Sequence, residues 1–466
     1  MNLVYNIKDK PKFGQTLLFA LQQLLAIMAA TIAVPAVVNG ATGATMSQTA
    51  ALFGAGVGTL VYLLFTRFRS PVFLGSSFGF LGSMFAAFAG GVSMQLGYLG
   101  LIIGACFAGL VYVAIAIAVK FAGVKWINKL MPAIIIGPTV AIIGLSLASN
   151  AVGDLTSGAV SASPYVCIIC GLVTLFVTII CSVYGKKMIK MIPFVIGIVA
   201  GYIVAAIFTV IGNATNNANL VVINFELFKN ISWVPDFTFL TAFKGFKELT
   251  GGYIATIAVA YIPVAFVVFA EHLADHKNLS SIIGTDLTEN PGLHRTLLGD
   301  GIGSFAGALF GGACNTTYGE SIACVAISGN ASVKTILYTA IMALVVSFIG
   351  PFATFLATIP GCVMGGVCFA LYGFIAVSGL KMIQKVDLND NRNLFVVSMI
   401  LVAGVGGLAV SFGKVSLTTV ACALILGILA NLVLGGMSKK NEEAVEEATE
   451  EVEEKVEEEV KEEIEA

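Results

Sequence analysis

Runs of about twenty apolar residues, separated by short polar stretches, recur along nearly the whole chain. A helix of that length spans the roughly 30 Å of hydrocarbon in a bilayer. Only 11% of the residues are charged, whereas about a quarter are charged in a soluble domain. A transmembrane barrel would instead show ~10-residue segments of alternating polarity. The sequence therefore predicts an all-α membrane protein with many crossings.

Polar residues divide the apolar sequence into fourteen predicted spans, seven on each side of a polar stretch. The predicted spans are 15–38, 47–66, 71–92, 97–119, 131–149, 164–184, 191–212, 252–274, 297–313, 316–330, 333–350, 361–380, 394–412 and 416–436. Basic clusters all fall on the side of the N-terminus, at 8–12, 67–69, 120–129, 186–190, 381–392 and 439–440. Because basic loops stay on the cytoplasmic side, both termini are predicted to be cytoplasmic.

The two sets of seven spans share a sequence pattern. Pro35 and Pro263 lie 228 residues apart, and 131–138 aligns with 359–366 at the same offset. With seven spans in each repeat, the second repeat must enter the membrane from the opposite side. The sequence therefore predicts an inverted-topology repeat, which is the architecture of many secondary transporters.

The predicted organisation has five parts: a cytoplasmic N-terminus (1–14), a first repeat (15–212), an extracellular connecting segment (213–250), a second repeat (251–437) and an acidic cytoplasmic tail (438–466). Residues 441–466 hold 14 of the 27 acidic residues. Such a like-charged, low-complexity composition is typical of a solvated, partly helical tail. Cys167 and Cys170 form a C-x-x-C inside an apolar run, where helix packing is favoured over metal or redox chemistry. No metal site or cofactor is predicted.

Acidic residues inside apolar spans are the strongest functional signal. Each costs about 2.5–3.5 kcal/mol on insertion scales, so its presence needs a reason. Glu271 lies in the apolar run of span eight and is followed closely by His272, Asp275 and His276. Asp275 and His276 are nearer the predicted cytoplasmic end, where they can also face headgroups. We therefore expect Glu271 to be the functional acid of this cluster.

Two spans begin with residues that disfavour a helix. Residues 315–320 read Asn-Thr-Thr-Tyr-Gly-Glu, and residues 74–79 of the matching span read Leu-Gly-Ser-Ser-Phe-Gly. A half-helix that begins at membrane depth points free N–H groups at a ligand. Interrupted spans in matching places of two inverted halves indicate a binding site near the membrane midplane. Ser/Thr/Gly packing between helices is the alternative interpretation.

These motifs resemble the nucleobase–cation symporter family 2, the nucleobase/ascorbate transporters, and in particular its uracil-type members. The matching stretches are 22–35, 71–78, 270–276, 291–295 and 315–320. They occur in both halves and in order, so the resemblance covers essentially the whole chain except the tail.

The resemblance implies a core domain of spans one to four and eight to eleven, and a gate domain of the remaining spans. Short antiparallel strands in spans three and ten would line the site. It further implies that Glu271 and Glu320 bind the base, and that backbone amides at Tyr318, Gly319 and Phe78 complete the hydrogen bonding. The chemistry agrees, because carboxylates accept the ring N–H groups of uracil and amides donate to its carbonyls.

Proton-coupled uracil symport across the cytoplasmic membrane is therefore the expected function. Glu271 is the expected proton-linked group, with His276 and Asp300 in its network, and Glu320 is expected mainly as a ligand. Two positions depart from the uracil-type pattern. Gln23 stands where a histidine is usual and keeps hydrogen-bonding capacity, and Asp300 is more typical of purine-type members.

Alternative functions remain at this point. The nearest is a xanthine or uric acid permease of the same family, and a different class is an anion transporter of the same fold. An enzyme is not expected, because His272 and His276 lack the H-E-x-x-H arrangement and no nucleophile–base spacing occurs. The expected partners are the nucleobase and the lipid bilayer, with no nucleic acid. A homodimer and sodium coupling are left open.

Overall fold

The computed structural model describes residues 3–123, 132–156, 160–186, 189, 192–229, 231–384, 386–412, 415–417 and 419–435. The predicted acidic tail from residue 438 onward, and several of the basic positions, lie outside these residues. The described chain is mostly helical. Its helices are α1 Phe13–Thr42, α2 Gln48–Phe65, α3 Leu81–Phe88, α4 Met94–Ala122, α5 Ala133–Ser146, α6 Ala148–Leu155, α7 Pro164–Tyr184, α8 Pro193–Ala214, α9 Thr238–Ala242, α10 Gly251–Ile283, α11 Leu293–Gly311, α12 Gly319–Ser328, α13 Val333–Val346, α14 Gly350–Ala357, α15 Gly361–Ile383, α16 Asn391–Val405 and α17 Thr419–Gly435.

Local sequence signals explain where several helices begin. The hydroxyl groups of Ser47, Ser93 and Thr250 accept hydrogen bonds from backbone N–H groups in the first turns of α2, α4 and α10. A side-chain oxygen at this position satisfies one of the free donors at a helix start. Pro164 and Pro193 occupy the first helical position of α7 and α8, where proline loses no hydrogen bond.

Four short strands accompany the helices in the described part of the chain. Strands β1 (Leu74–Ser76) and β2 (Asn315–Thr317) pair antiparallel, with Gly75 opposite Thr316. Strands β3 (Val410–Phe412) and β4 (Val415–Leu417) form a second antiparallel pair. The prediction of a helical span up to residue 412 was wrong in its last part. Helix α16 ends at Val405, and Gly407 then adopts a positive φ of 72° that a continuing helix does not allow.

Eight helices of the described residues are long and apolar enough to cross a membrane, when α5 and α6 are counted as one helix over Ala133–Leu155. Helices α13 and α14 are bent by 83° relative to each other, and the number becomes nine if this pair is counted as one broken span. Each of the fourteen predicted spans contains a described helix. The described part of the chain is therefore that of a multi-pass helical membrane protein, and the count of fourteen crossings stays a prediction.

The helices pack in two groups. Helices α1–α4 and α10–α13 form the first group, and α5–α8 with α15–α17 form the second. Within the first group, α11 approaches α2 so closely that a Cβ atom at Gly54 would overlap the carbonyl oxygen of Gly307. Small residues at such a contact allow backbones to approach, which is how membrane helices gain packing energy. The two groups meet around the strand pair β1–β2.

Candidate functional site

A cavity of about 400 Å³ lies where the two helix groups meet. The first group contributes the residues after β1, one side of α10, and the segment that joins β2 to α12. The second group contributes apolar side chains from α5, α8 and α15. The lining residues are Ser77, Phe78, Gly79, Val140, Phe194, Glu271, Asp275, Thr316, Thr317, Tyr318, Gly319, Glu320, Leu371, Phe374, Ile375 and Met382. A mostly apolar cavity with a few convergent polar groups is the usual form of a small-molecule site.

Helix α12 begins at this cavity. Its first residue is Gly319, and Glu320 lies in its first turn. The first N–H groups of a helix have no partner within the helix, so this end presents donors to the cavity beside the Glu320 carboxyl group. The Tyr318 hydroxyl, just before the helix, donates a hydrogen bond of 2.7 Å to the carbonyl oxygen of Ser76. This bond joins the residues that follow β2 to the end of β1.

Helix α10 presents a second acidic surface to the cavity. Glu271 and Asp275 are four residues apart, so they share one face of the helix, and both line the cavity while remaining partly exposed within it. The Thr317 hydroxyl on β2 donates a hydrogen bond of 2.6 Å to Asp275 Oδ2. The bond ties the acidic face of α10 to β2.

The two histidines of α10 point away from this cavity. His272 and His276 are fully buried, and their rings stack with centroids 4.1 Å apart. His276 Nε2 lies 2.7 Å from the hydroxyl of Tyr62, which in turn lies 2.7 Å from Ser70 Oγ. His276 Nδ1 donates to the carbonyl oxygen of His272 at 2.8 Å. These groups form a buried network between α10 and α2.

Asp300 belongs to the same buried region. Its Oδ2 lies 2.6 Å from His272 Nδ1, and both side chains are at most 1% exposed. The Thr296 hydroxyl donates to the carbonyl oxygen of Leu293, so it accepts its 3.0 Å bond from His272 Nε2. Nε2 therefore carries a proton, and one further proton is shared between Nδ1 and the Asp300 carboxyl group. The histidine–aspartate pair thus holds a proton without net charge.

A family comparison identifies the protein class to which this site belongs. The sequence model of a protein family, described as the permease family, matches residues 14–412 of this chain. The chain belongs to the permease family. Membership indicates a transporter rather than an enzyme. Among the described residues of this permease-family chain, no group of three or more His, Cys, Asp or Glu side chains is arranged to hold a metal ion.

Relatives with similar sequences cover nearly the full length of this permease-family chain. The uracil permease of Bacillus caldolyticus is 37% identical, over 94% of this chain and 96% of that protein. The uracil permease of Bacillus subtilis (strain 168) is 38% identical, over 92% and 94% respectively. Among solved structures, the transmembrane domain of the cyanobacterial bicarbonate transporter BicA covers 92% of this chain with a TM-score of 0.61 and 17% identity. That likeness concerns the fold.

The structure brings together five of the seven residues predicted for the site. The five that line the cavity are Glu271, Glu320, Phe78, Tyr318 and Gly319. His276 and Asp300 lie in the buried network, so any part in proton linkage stays a prediction for them. Asp275 was not among the predicted site residues. Its spacing of four from Glu271 is the sequence signal that would have found it.

Proposed function

We propose that this chain is a proton-coupled uracil symporter of the cytoplasmic membrane. One observation carries the proposal: Glu271 and Glu320, from two separate elements, line one cavity together with Tyr318 and Gly319 at the start of α12. The uracil permeases among the relatives support the choice of substrate.

The donor and acceptor pattern of the cavity matches a uracil ring. Uracil presents ring N–H groups and carbonyl oxygens along its rim. Carboxyl oxygens of Glu271 and Glu320 accept the N–H groups, which the carbonyl oxygen of a protonated carboxyl group can also do, and the amides at Tyr318, Gly319 and Phe78 donate to the carbonyls of the ring. The flat faces of the ring then pack against apolar side chains such as Phe374 and Leu371, which line the opposite side.

The charges of the cavity argue against an anion as substrate. Three carboxyl groups, those of Glu271, Asp275 and Glu320, line it, and no Lys or Arg is among its lining residues. A negatively charged substrate would be repelled by this arrangement. A xanthine or uric acid permease remains the second candidate, because Asp300 resembles the purine-type pattern. Competition of radiolabelled uracil uptake by excess xanthine separates the two.

The two helix groups support the architecture that we propose. We assign α1–α4 and α10–α13 to a core domain and α5–α8 with α15–α17 to a gate domain. The fourteen segments would form two inverted sets of seven, with both termini cytoplasmic. The cavity between the domains would then open to alternate sides as one domain moves against the other.

Proton coupling is proposed to act through Glu271. Three carboxyl groups in one cavity repel each other when all are ionised, and a proton taken up by one of them relieves this repulsion. The proton would therefore favour the loaded state, in which proton and substrate are both bound. Glu320 would act mainly as a ligand, whereas Glu271 would gain and lose the proton between the two conformations. His276 and Asp300 would support this exchange through the buried network.

The test uses purified protein in proteoliposomes. An inward pH gradient should drive accumulation of radiolabelled uracil, and a sodium gradient of equal size should not. Glu271→Gln should keep uracil exchange across a membrane without a gradient, because the amide still contacts the ring. It should lose gradient-driven accumulation. Unchanged accumulation by this variant would refute the assignment of Glu271, and absence of uracil uptake by the wild type would refute the substrate.

A further inference from the structure

A glutamine of α1 is hydrogen-bonded to the first turn of α12. Gln23 Nε2 donates to the Ser321 hydroxyl oxygen at 2.5 Å and to the Ser321 carbonyl oxygen at 3.2 Å. Gln23 is 3% exposed and Ser321 is fully buried. Neither residue lines the cavity. Since a carbonyl oxygen only accepts, the amide nitrogen rather than its oxygen must face Ser321.

Ser321 also contacts the segment that leads into β1. The backbone N–H of Phe73 donates to Ser321 Oγ at 3.2 Å, and Phe73 directly precedes the first strand residue, Leu74. The serine hydroxyl therefore joins three elements: α1 through Gln23, the start of β1 through Phe73, and its own helix α12.

These contacts of Ser321 affect the cavity because of where Ser321 lies in the sequence. Ser321 directly follows Glu320, which lines the cavity. Adjacent residues of a helix are rigidly linked at 1.5 Å rise per residue, so a shift of Ser321 shifts the Glu320 backbone. Misplacement of a binding group by about 1 Å is enough to weaken a site strongly.

We propose that Gln23 and Ser321 are positioning residues that hold the Glu320 carboxyl group at a fixed position relative to the opposite wall of the cavity. The inference rests on the proposed function, because Glu320 is the assigned ligand for the ring N–H. Buried hydrogen bonds of this kind specify geometry because a lost partner is not replaced by water.

Binding of radiolabelled uracil to purified protein tests the inference. Gln23→Leu removes both donated bonds, and its Kd for uracil should rise about tenfold. Ser321→Ala removes the hydroxyl but keeps the carbonyl, and its Kd should rise about threefold to fivefold. Thr339→Val is the matched control, because Thr339 of α13 is equally buried, and its hydroxyl donates to the Thr335 carbonyl at 2.9 Å while lying 3.4 Å from the Ala20 carbonyl of α1. Its Kd should stay within twofold of the wild type.

A double-mutant cycle separates positioning of Glu320 from a general structural role. Glu320→Asp retains the carboxylate but shortens its reach, so weakened binding stays measurable. If Gln23 acts through Glu320, Gln23→Leu should raise the Kd less than about twofold in the Glu320→Asp background. Additive effects, or a lowered melting temperature with an unchanged Kd, would overturn the inference. If Gln23→Leu does not fold, the same cycle with Ser321→Ala decides. Failure of the wild type to bind uracil would instead refute the proposed function.

Discussion

Two spans of the chain are interrupted by a strand. The first break is β1 with the helix that follows it (residues 74–88), and the second break is β2 with α12 (residues 315–328). The two breaks are built alike but carry different chemistry. Both consist of a three-residue strand followed by a short helix, and the strands pair with each other. Residues 74–88 of the first break contain no charged residue. The second break carries Glu320 in the first turn of α12. The two strand–helix segments are therefore similar in local structure and different in chemistry.

This difference assigns separate tasks to the two halves. The first break supplies close packing, since a Cβ atom at Gly75 would overlap the ring of Tyr318. The second break supplies charge, through Glu320 in the first turn of α12. An asymmetric ring such as uracil, with different groups along its rim, requires such an unequal pair of walls.

The largest expected effect comes from removing the charge of the second break. Glu320→Gln should reduce uracil uptake on the order of 100-fold, because a charge-assisted hydrogen bond contributes up to about 3 kcal/mol. Ser77→Ala, which alters a neutral lining residue after β1, should reduce uptake less than about fivefold. Uptake rates of the two variants in proteoliposomes provide the measurement. Similar losses in both would remove the proposed asymmetry.

The next effect concerns the packing task of the first break. Gly75→Ala forces the Tyr318 ring to move, and such overpacking costs about 1–3 kcal/mol, so uptake should fall about tenfold. A Cβ atom at Gly319 meets no atom within 4 Å, so Gly319→Ala should keep the wild-type melting temperature. Its methyl group enters the cavity and should lower affinity modestly. A destabilised Gly319→Ala with a stable Gly75→Ala would contradict this division.

A smaller effect is expected at the link between α10 and β2. Thr317→Val keeps the shape of the side chain but removes the donor to Asp275. Loss of about 1 kcal/mol corresponds to about a fivefold decrease in uptake. Thr317→Ser retains the hydroxyl and should restore most of the activity. If valine and serine variants behave alike, the hydrogen bond does not contribute.

The smallest effect on affinity is expected in the buried network. His276→Phe should leave the Kd for uracil within about twofold, because the side chain does not line the cavity. Loss of the partner of Tyr62 should lower stability by about 1–3 kcal/mol. The His276→Phe variant should also show reduced pH-driven accumulation if the network assists Glu271. Isothermal binding, thermal melting and uptake under a pH gradient separate these contributions, and a large change in Kd would place His276 in the site.

Much of the candidate site could be predicted from local sequence. Turn-forming residues at membrane depth and isolated acids are visible in a single chain, and they marked Glu271, Glu320 and the residues around them. The orientation of α10 could not be predicted in this way. This helix is apolar on most of its surface, so no hydrophobic stripe shows which residues face the cavity. Asp275 and His276 are neighbours in sequence, yet only Asp275 lines it.

Long-range contacts were also beyond local sequence. His276 meets Tyr62 across 214 positions and Gln23 meets Ser321 across 298, and no local pattern indicates either pair. The short helix α14, bent by 83° from α13, was not predicted, because the predicted span 333–350 ends at the first residue of α14. Gly350 and Pro351 at the start of α14 are the signal for the break, because proline is favoured at the first turn of a new helix.

The pairing of β1 with β2 has a consequence for biosynthesis. During translation, Leu74–Ser76 enters the membrane long before Asn315–Thr317 has been made. Until then, the backbone groups that β2 will satisfy have no strand partner, and unpaired backbone groups are costly in hydrocarbon. We therefore expect the first half of the chain not to reach its final packing before the second half is made. On this view the strand pair forms only after the ribosome has delivered residues 315–317, and the two halves are expected to complete their folding together.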